Sequence, residues 1–260
     1  MTPSTPPDLI AFDFDGVICD GLIEYFQTAW KAYCQLFNPQ KDQPPKGLAE
    51  KFYPLRPVIE TGWEMPVLVE ALVKGASDEQ IIAEWPEMAL PYLEAAGLTK
   101  TQSVQTLDGV RDQWIKRDLQ DWLGLHQFYP GMIDRVGELL SGDVPIYIVS
   151  TKEGRFIKAL LAKSGLSFPE ERIFGKEVKR PKYETLRLLK EKHSVEKVWF
   201  IEDRLPALRA VTGQADLEKV ELFLADWGYN LEPDREAARQ ERRIHLLSLE
   251  KVVQKFDSWM

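Results

Sequence analysis

From about residue 143 onward, short apolar runs alternate with stretches of helical periodicity, and this alternation restricts the fold more than any other feature of the chain. VPIYIVS (144–150) has the length and branching of a strand, after which Phe156, Ile157, Leu160 and Leu161 recur at helical spacing up to Gly165. RIF (172–174), the helical KYETLRLLKEKH, KVWFIED (197–203), a helix over 205–211 closed by Gly213, VELFLAD (220–226) and a charged surface helix in DREAARQERR extend the pattern. LIAF (9–12) is one more run of the kind that a sheet covered on both faces requires. Together these predict an α/β fold with a doubly wound, mostly parallel sheet.

Between the first run and the rest lies a segment of different character. Leu22, Tyr25, Phe26, Ala29, Trp30, Tyr33 and Phe37 recur every three or four residues, and Ser77 with Gln80 reads as a capping box. Residues 103–123 carry one long amphipathic pattern through Val110, Trp114, Ile115, Leu119, Trp122 and Leu123. Prolines and glycines, Pro86 and Pro91 among them, are expected to divide the segment into several helices. The predicted organisation is a core of residues 1–20 and 127–260, with an all-helical domain over 21–126 inserted after the first strand. Trp30, Trp114 and Trp122 belong to the core of that insert.

Composition narrows the function classes. A 260-residue chain that is 44% hydrophobic can bury a sizeable core, and its formal charge of −8 gives no attraction to nucleic acid or an anionic membrane surface. No apolar run approaches the length of a membrane span, and the opening MTPSTPPD lacks the basic and apolar regions of a signal peptide. Three prolines in the first seven residues suggest an extended lead-in. With only Cys19 and Cys34, the chain reads as a cytoplasmic protein without disulfides. Cys19 is expected to be a small buried residue, and His126, His193 and His245 have no metal-ligand spacing.

The chemistry concentrates at predicted strand ends. Asp13 and Asp15 follow LIAF, Ser150 and Thr151 follow VPIYIV, and Glu202 and Asp203 follow VWFI. In a doubly wound sheet those ends form one rim, where ligands bind. Two carboxylates that close repel each other and lose solvation, so they need a cation, a shared proton or open water, of which a divalent metal is the most economical answer. A carboxylate is a competent nucleophile toward phosphorus when cations hold the phosphoryl group, a hydroxyl can bind its oxygens, and a lysine can neutralise the charge that spreads in the transition state.

These segments resemble the motifs of the haloacid dehalogenase superfamily. Asp13-Phe14-Asp15-Gly16-Val17 is similar to its first motif, IYIVSTK with Ser150 to its second, and VKRPKYETL to its third, with Lys182 the first choice for the motif lysine and Lys179 the second. VWFIEDR, with Glu202 and Asp203, is similar to the fourth. The resemblance implies a Rossmann-like core with a helical, C1-type cap inserted over 21–126. It further implies a magnesium-dependent phosphatase acting on a small phosphorylated metabolite. In that scheme Asp13 is the nucleophile that forms an aspartyl phosphate, and Asp15 is the general acid and base. Ser150, Thr151 and Lys182 bind phosphate, and Asp13, the Asp15 carbonyl, Asp203 and Glu202 hold magnesium. Arg56, in the charged and aromatic loop PLRPVIETGWEMP, is a candidate for substrate binding. One departure stands out: four residues beyond Asp203, where many members carry an acid, this chain has Ala207. A phosphomutase, a phosphonate hydrolase using a cap lysine, or a member that binds without catalysing are the alternatives.

Overall fold

The computed structural model describes residues 6–39 and 43–260, so the first five residues of the expected extended lead-in lie outside the described residues. The chain forms two compact units, Met1–Asp20 with Gln127–Met260, and Gly21–His126. Its elements run β1 (Leu9–Phe12), β2 (Cys19–Asp20), α1 (Leu22–Phe37), α2 (Leu48–Leu55), α3 (Glu64–Val73), α4 (Asp78–Ala95), α5 (Lys100–Arg117) and α6 (Leu119–Gly124). They continue with β3 (Gln127–Phe128), α7 (Met132–Leu140), β4 (Ile146–Val149), α8 (Gly154–Lys163), β5 (Ile173–Phe174), α9 (Lys182–His193) and β6 (Val198–Glu202). The last are α10 (Leu205–Thr212), β7 (Glu221–Ala225), α11 (Glu232–Gln240), β8 (Ile244–Leu247) and α12 (Leu249–Val252).

In the first unit the strands form a parallel sheet of order β5-β4-β1-β6-β7-β8. Every residue of β1, β4 and β6 is buried, which is why these strands read as unbroken apolar runs. Alternate residues serve opposite faces. Leu9, Ala11, Val149, Phe200 and Leu222 meet Leu186 and Leu189 of α9 and Leu205 and Leu208 of α10 on one side. Phe12, Trp199 and Phe223 meet Trp259 on the other, at ring separations of 5.4–6.3 Å. Each fully buried side chain of this size contributes about 1.5–3 kcal/mol.

Strands β2, β3 and β8 and helix α7 lie outside the strands and helices that the sequence pattern predicts. Strand β8 (IHLL) is a partly exposed edge strand that pairs only with β7, so its pattern is neither alternating nor uniformly apolar. Strands β2 and β3 form a two-residue antiparallel ribbon whose partners lie more than a hundred residues apart. Helix α7 precedes the stretch in which the alternation is evident.

The helical unit departs from expectation in two places. Pro86 and Pro91 do not break a helix; both lie inside α4. They and the residues four before them, Ile82 and Glu87, are exposed, so the carbonyls that lose an N–H partner face water. The long pattern over 103–123 is divided at Asp118, whose extended backbone ends α5 and whose carboxylate accepts from Asp121 N at 2.9 Å to start α6. The Ser77–Gln80 capping box is present. At the centre of the unit, the fully buried Glu24 takes Arg111 in a two-pronged contact at 2.7 and 3.2 Å, Thr28 Oγ1 at 2.8 Å and Trp122 Nε1 at 3.0 Å. A carboxylate with four donors offsets much of its desolvation, and it ties α1 to α5 and α6.

Candidate active site

The site follows from strand register. Phe12 is level with Ile148 on one side and Ile201 on the other, so Asp13, Ser150 and Glu202 emerge close together where the winding of the sheet reverses. Asp13 N extends the ladder by one bond, to Ile201 O at 2.8 Å. Beyond it, Gly16 at φ +80° turns the chain, while Ile18 N and Cys19 N both donate to Phe14 O at 2.9 Å.

Four of the charged side chains interlock here. Asp13 Oδ1 accepts from Phe14 N at 2.7 Å and Oδ2 accepts from Lys182 Nζ at 2.6 Å, and the Ser150 side chain lies close enough to the same carboxylate to favour its charged form. Lys182, the first residue of α9, also donates to Glu202 Oε2 at 2.5 Å. Glu202 Oε1 accepts from Asp203 N at 3.1 Å and Arg204 N at 2.9 Å, so both of its oxygens are engaged. Asp203 Oδ2 accepts from Tyr229 N at 2.7 Å, and Asn230 Nδ2 braces the Asp203 carbonyl at 3.0 Å. Of the two candidate lysines, the structure brings Lys182 to Asp13.

Burial governs the electrostatics. It pushes the Asp13 carboxyl up to about 6, against the pull of Lys182, and the Glu202 carboxyl up to about 7. Asp203 is raised by burial and by its neighbour Asp13. Burial alone would lower Lys182, but Asp13 and Glu202 outweigh it and hold the ammonium above its ordinary range. Oxygens of Asp13, Glu202 and Asp203 lie within 4.8 Å of one another, so these three residues could hold a metal. When all are ionised, three carboxylates face the single Lys182 ammonium, an excess of negative charge that a divalent cation with a preference for oxygen ligands matches.

The other candidates fall around this cluster. Asp15 pairs with Lys152, whose Nζ lies 3.1 and 3.3 Å from the two carboxylate oxygens, both side chains being mostly buried. Thr151 is exposed and lines a cavity of about 170 Å³ with Ser150 and Lys182. Arg56 belongs to the helical unit, where its guanidinium lies 4.8 Å over the Tyr25 ring and its Nη1 donates to Ile59 O at 3.0 Å. Cys19 is a buried thiol, raised by that burial. The three histidines bond Trp122 O, the Tyr147 hydroxyl and Glu221 respectively.

Residues that sequence reasoning did not single out complete the seat. Lys152 was within reach, since it follows Ser150 and Thr151 in the same strand-end loop. Gly228 and Tyr229 carry no such signal. A Cβ on Gly228 would overlap Asp203 Cβ and the Gly16 carbonyl, and one on Gly16 would overlap Asp203 Oδ2. The backbone turn at 228–230 thus supports Asp203 in a chain with Ala207 in place of the acid.

A parallel α/β unit with acids and a lysine converging on its switch point defines the class as that of the haloacid dehalogenase-like proteins. The chain belongs to that family: the model for haloacid dehalogenase-like hydrolases matches residues 7–211. No curated protein matches it in sequence. Among solved structures it is similar to a haloacid dehalogenase-like hydrolase from Streptococcus pneumoniae (TM-score 0.54, 15% identity, 93% of this chain and 94% of that one). It is also similar to a predicted phosphatase from Clostridium acetobutylicum (0.57, 14%, 96% and 97%). A third similar structure is a predicted phosphoglycolate phosphatase from Haemophilus somnus (0.56, 14%, 87% and 88%). At these identities the likeness concerns the fold. Among the described residues, no helix is long and apolar enough to cross a membrane.

Proposed function

We propose that this hydrolase is a magnesium-dependent phosphatase that removes phosphate from a small phosphorylated metabolite through an aspartyl phosphate on Asp13. The observation that carries the reading is the buried Asp13 carboxylate at the switch point, bonded to Lys182 with the Ser150 side chain beside it. Two of the similar structures are described as phosphatases, which supports a phosphate-ester substrate.

In this reading Lys182 and Ser150 bind the phosphoryl oxygens, and Phe14 N fixes the rotation of Asp13. An oxygen of Asp13 attacks phosphorus as the bond to the ester oxygen breaks. Asp15 gives its proton to that leaving oxygen, then takes one from the water that attacks the aspartyl phosphate, releasing inorganic phosphate and restoring both acids. Asp13, the main-chain carbonyl of Asp15 and Asp203 would hold the magnesium ion, with Glu202 in the same cluster and orienting Lys182. The bound ion supplies positive charge against which carboxylate and phosphoryl oxygens can approach. Residues 21–126 serve as the cap that excludes water and selects the substrate, with Arg56 and Thr151 as substrate contacts.

The test is phosphate release from an aryl phosphate and a panel of sugar and organic-acid phosphates, with magnesium or chelator, for the wild type and Asp13→Asn. Release that needs the metal and falls by at least ~10³-fold in the variant is expected. Equal rates in chelator would remove the metal from the reading, and a fully active variant would remove Asp13 from the chemistry.

A further inference from the structure

Residues 176–182 hold four cations, Lys176, Lys179, Arg180 and Lys182, in a chain whose formal charge is −8. Lys182 is engaged by Asp13 and Glu202. The one acid of the stretch, Glu177, instead accepts from Gly154 N at 3.1 Å. Among the described residues, Lys176, Lys179 and Arg180 have no carboxylate within ion-pair distance. With Ser150, Thr151 and Lys182 they line the cavity of about 170 Å³, room for a few heavy atoms beside a phosphoryl group.

The Arg180 side chain and the backbone at Lys179 are fixed, while the Lys176 and Lys179 side chains are exposed at the cavity mouth. Arg180 donates its Nε to Thr185 Oγ1 at 3.1 Å and stacks 5.7 Å over the Phe174 ring, leaving the ends of its guanidinium for an anion. Lys179 lies in the left-handed region at φ +49°, ψ +40°, a conformation costly for any residue with a Cβ and more natural to glycine or asparagine. Three cations without an anionic partner, beside a phosphoryl-binding hydroxyl and lysine, leave a like-charge repulsion that a bound anion relieves.

We propose that the substrate carries a second anionic group, which Lys176, Lys179 and Arg180 hold in this cavity while its phosphoryl group meets Asp13, Ser150 and Lys182. The inference rests on the phosphatase reading and adds the substrate class: a phosphate ester with a carboxylate or a further phosphate a few bonds away.

The experiment is calorimetric binding of three probes of similar length, propylphosphonate, 3-phosphonopropionate and propane-1,3-diphosphonate, at one fixed magnesium concentration. None can be hydrolysed, so turnover is not needed. At least one of the two probes with a second anion should bind the wild type about tenfold more tightly than propylphosphonate, since one charge-assisted contact is worth about that factor. Which of the two gains separates a carboxylate from a phosphate. In Lys179→Gln and Lys179→Gly that preference should fall below about threefold, and because glycine suits the backbone at 179, misfolding would not account for the loss. Equal binding of all three probes, or a preference unchanged in both variants, overturns the second-anion site and leaves the phosphatase reading standing. If no probe binds, the phosphatase reading falls and the inference falls with it.

Discussion

Replacing Glu202 by glutamine tests how the site is built, because it alters one contact and keeps the rest. Glu202 is fully buried, and the glutamine carbonyl can still accept from Asp203 N and Arg204 N. The new amide group, however, faces Lys182 Nζ across the 2.5 Å contact that an oxygen now fills, setting donor against donor. Breaking a buried pair by removing one partner costs about 3–5 kcal/mol. Part of that is returned, because Glu202 adds to the rise that burial gives the Asp13 carboxyl and is itself pushed up by burial and by Asp203. The net loss should therefore be about 1–4 kcal/mol, which for a chain of this size lowers the melting temperature by roughly 3–12 °C. Lys182 would keep only Asp13 as an anchor, and a displaced phosphoryl-binding group should cost roughly 10–100-fold in kcat. Thermal melting in metal-free buffer and turnover with magnesium read the two effects separately. A variant that melts within a degree of the wild type and retains its kcat would show that Glu202 neither balances nor positions Lys182.

Two further outcomes follow from the same cluster. Gly228→Ala should shift the Asp203 carboxylate, because the added methyl overlaps Asp203 and the Gly16 carbonyl; we expect a loss of about 2 kcal/mol or more, with the magnesium-induced rise in melting temperature reduced or abolished. An undiminished rise would refute the role given to the 228–230 turn. In chelator, Asp13 and Glu202 have folded-state values raised above their ordinary ones, to about 6 and about 7. The folded state therefore holds protons that the unfolded chain releases, so the contribution of these groups is complete below about pH 4 and is lost as pH rises toward 7. The melting temperature of the wild type relative to Asp13→Asn should accordingly decline between about pH 5 and 7.5 without metal, and magnesium should reverse the decline. A flat difference profile would mean that the Asp13 carboxyl is not raised.

How much was legible in the sequence differs from residue to residue. Asp13, Ser150 and Asp203 could be located because each follows a short, fully buried run, and both a buried run and the place where it ends are local properties of a chain. The sequence likewise determined the order of strands and helices in the sheet-bearing part and the helical character of residues 21–126. It could not reveal β8, because an edge strand with one pairing partner needs no strong apolar pattern. Nor could it foresee that Pro86 and Pro91 sit within one helix, which depends on their i−4 carbonyls facing water. The contact of Lys182 with Asp13, the Lys152–Asp15 pair and the seat of Asp203 against Gly228 and Tyr229 N were decided by the tertiary structure alone. Those contacts join segments 25 to 169 residues apart through parallel register and close backbone approach. A hydrophobic pattern specifies which segments become strands, whereas a hydrogen bond between two strand ends exists only once the sheet has brought them level.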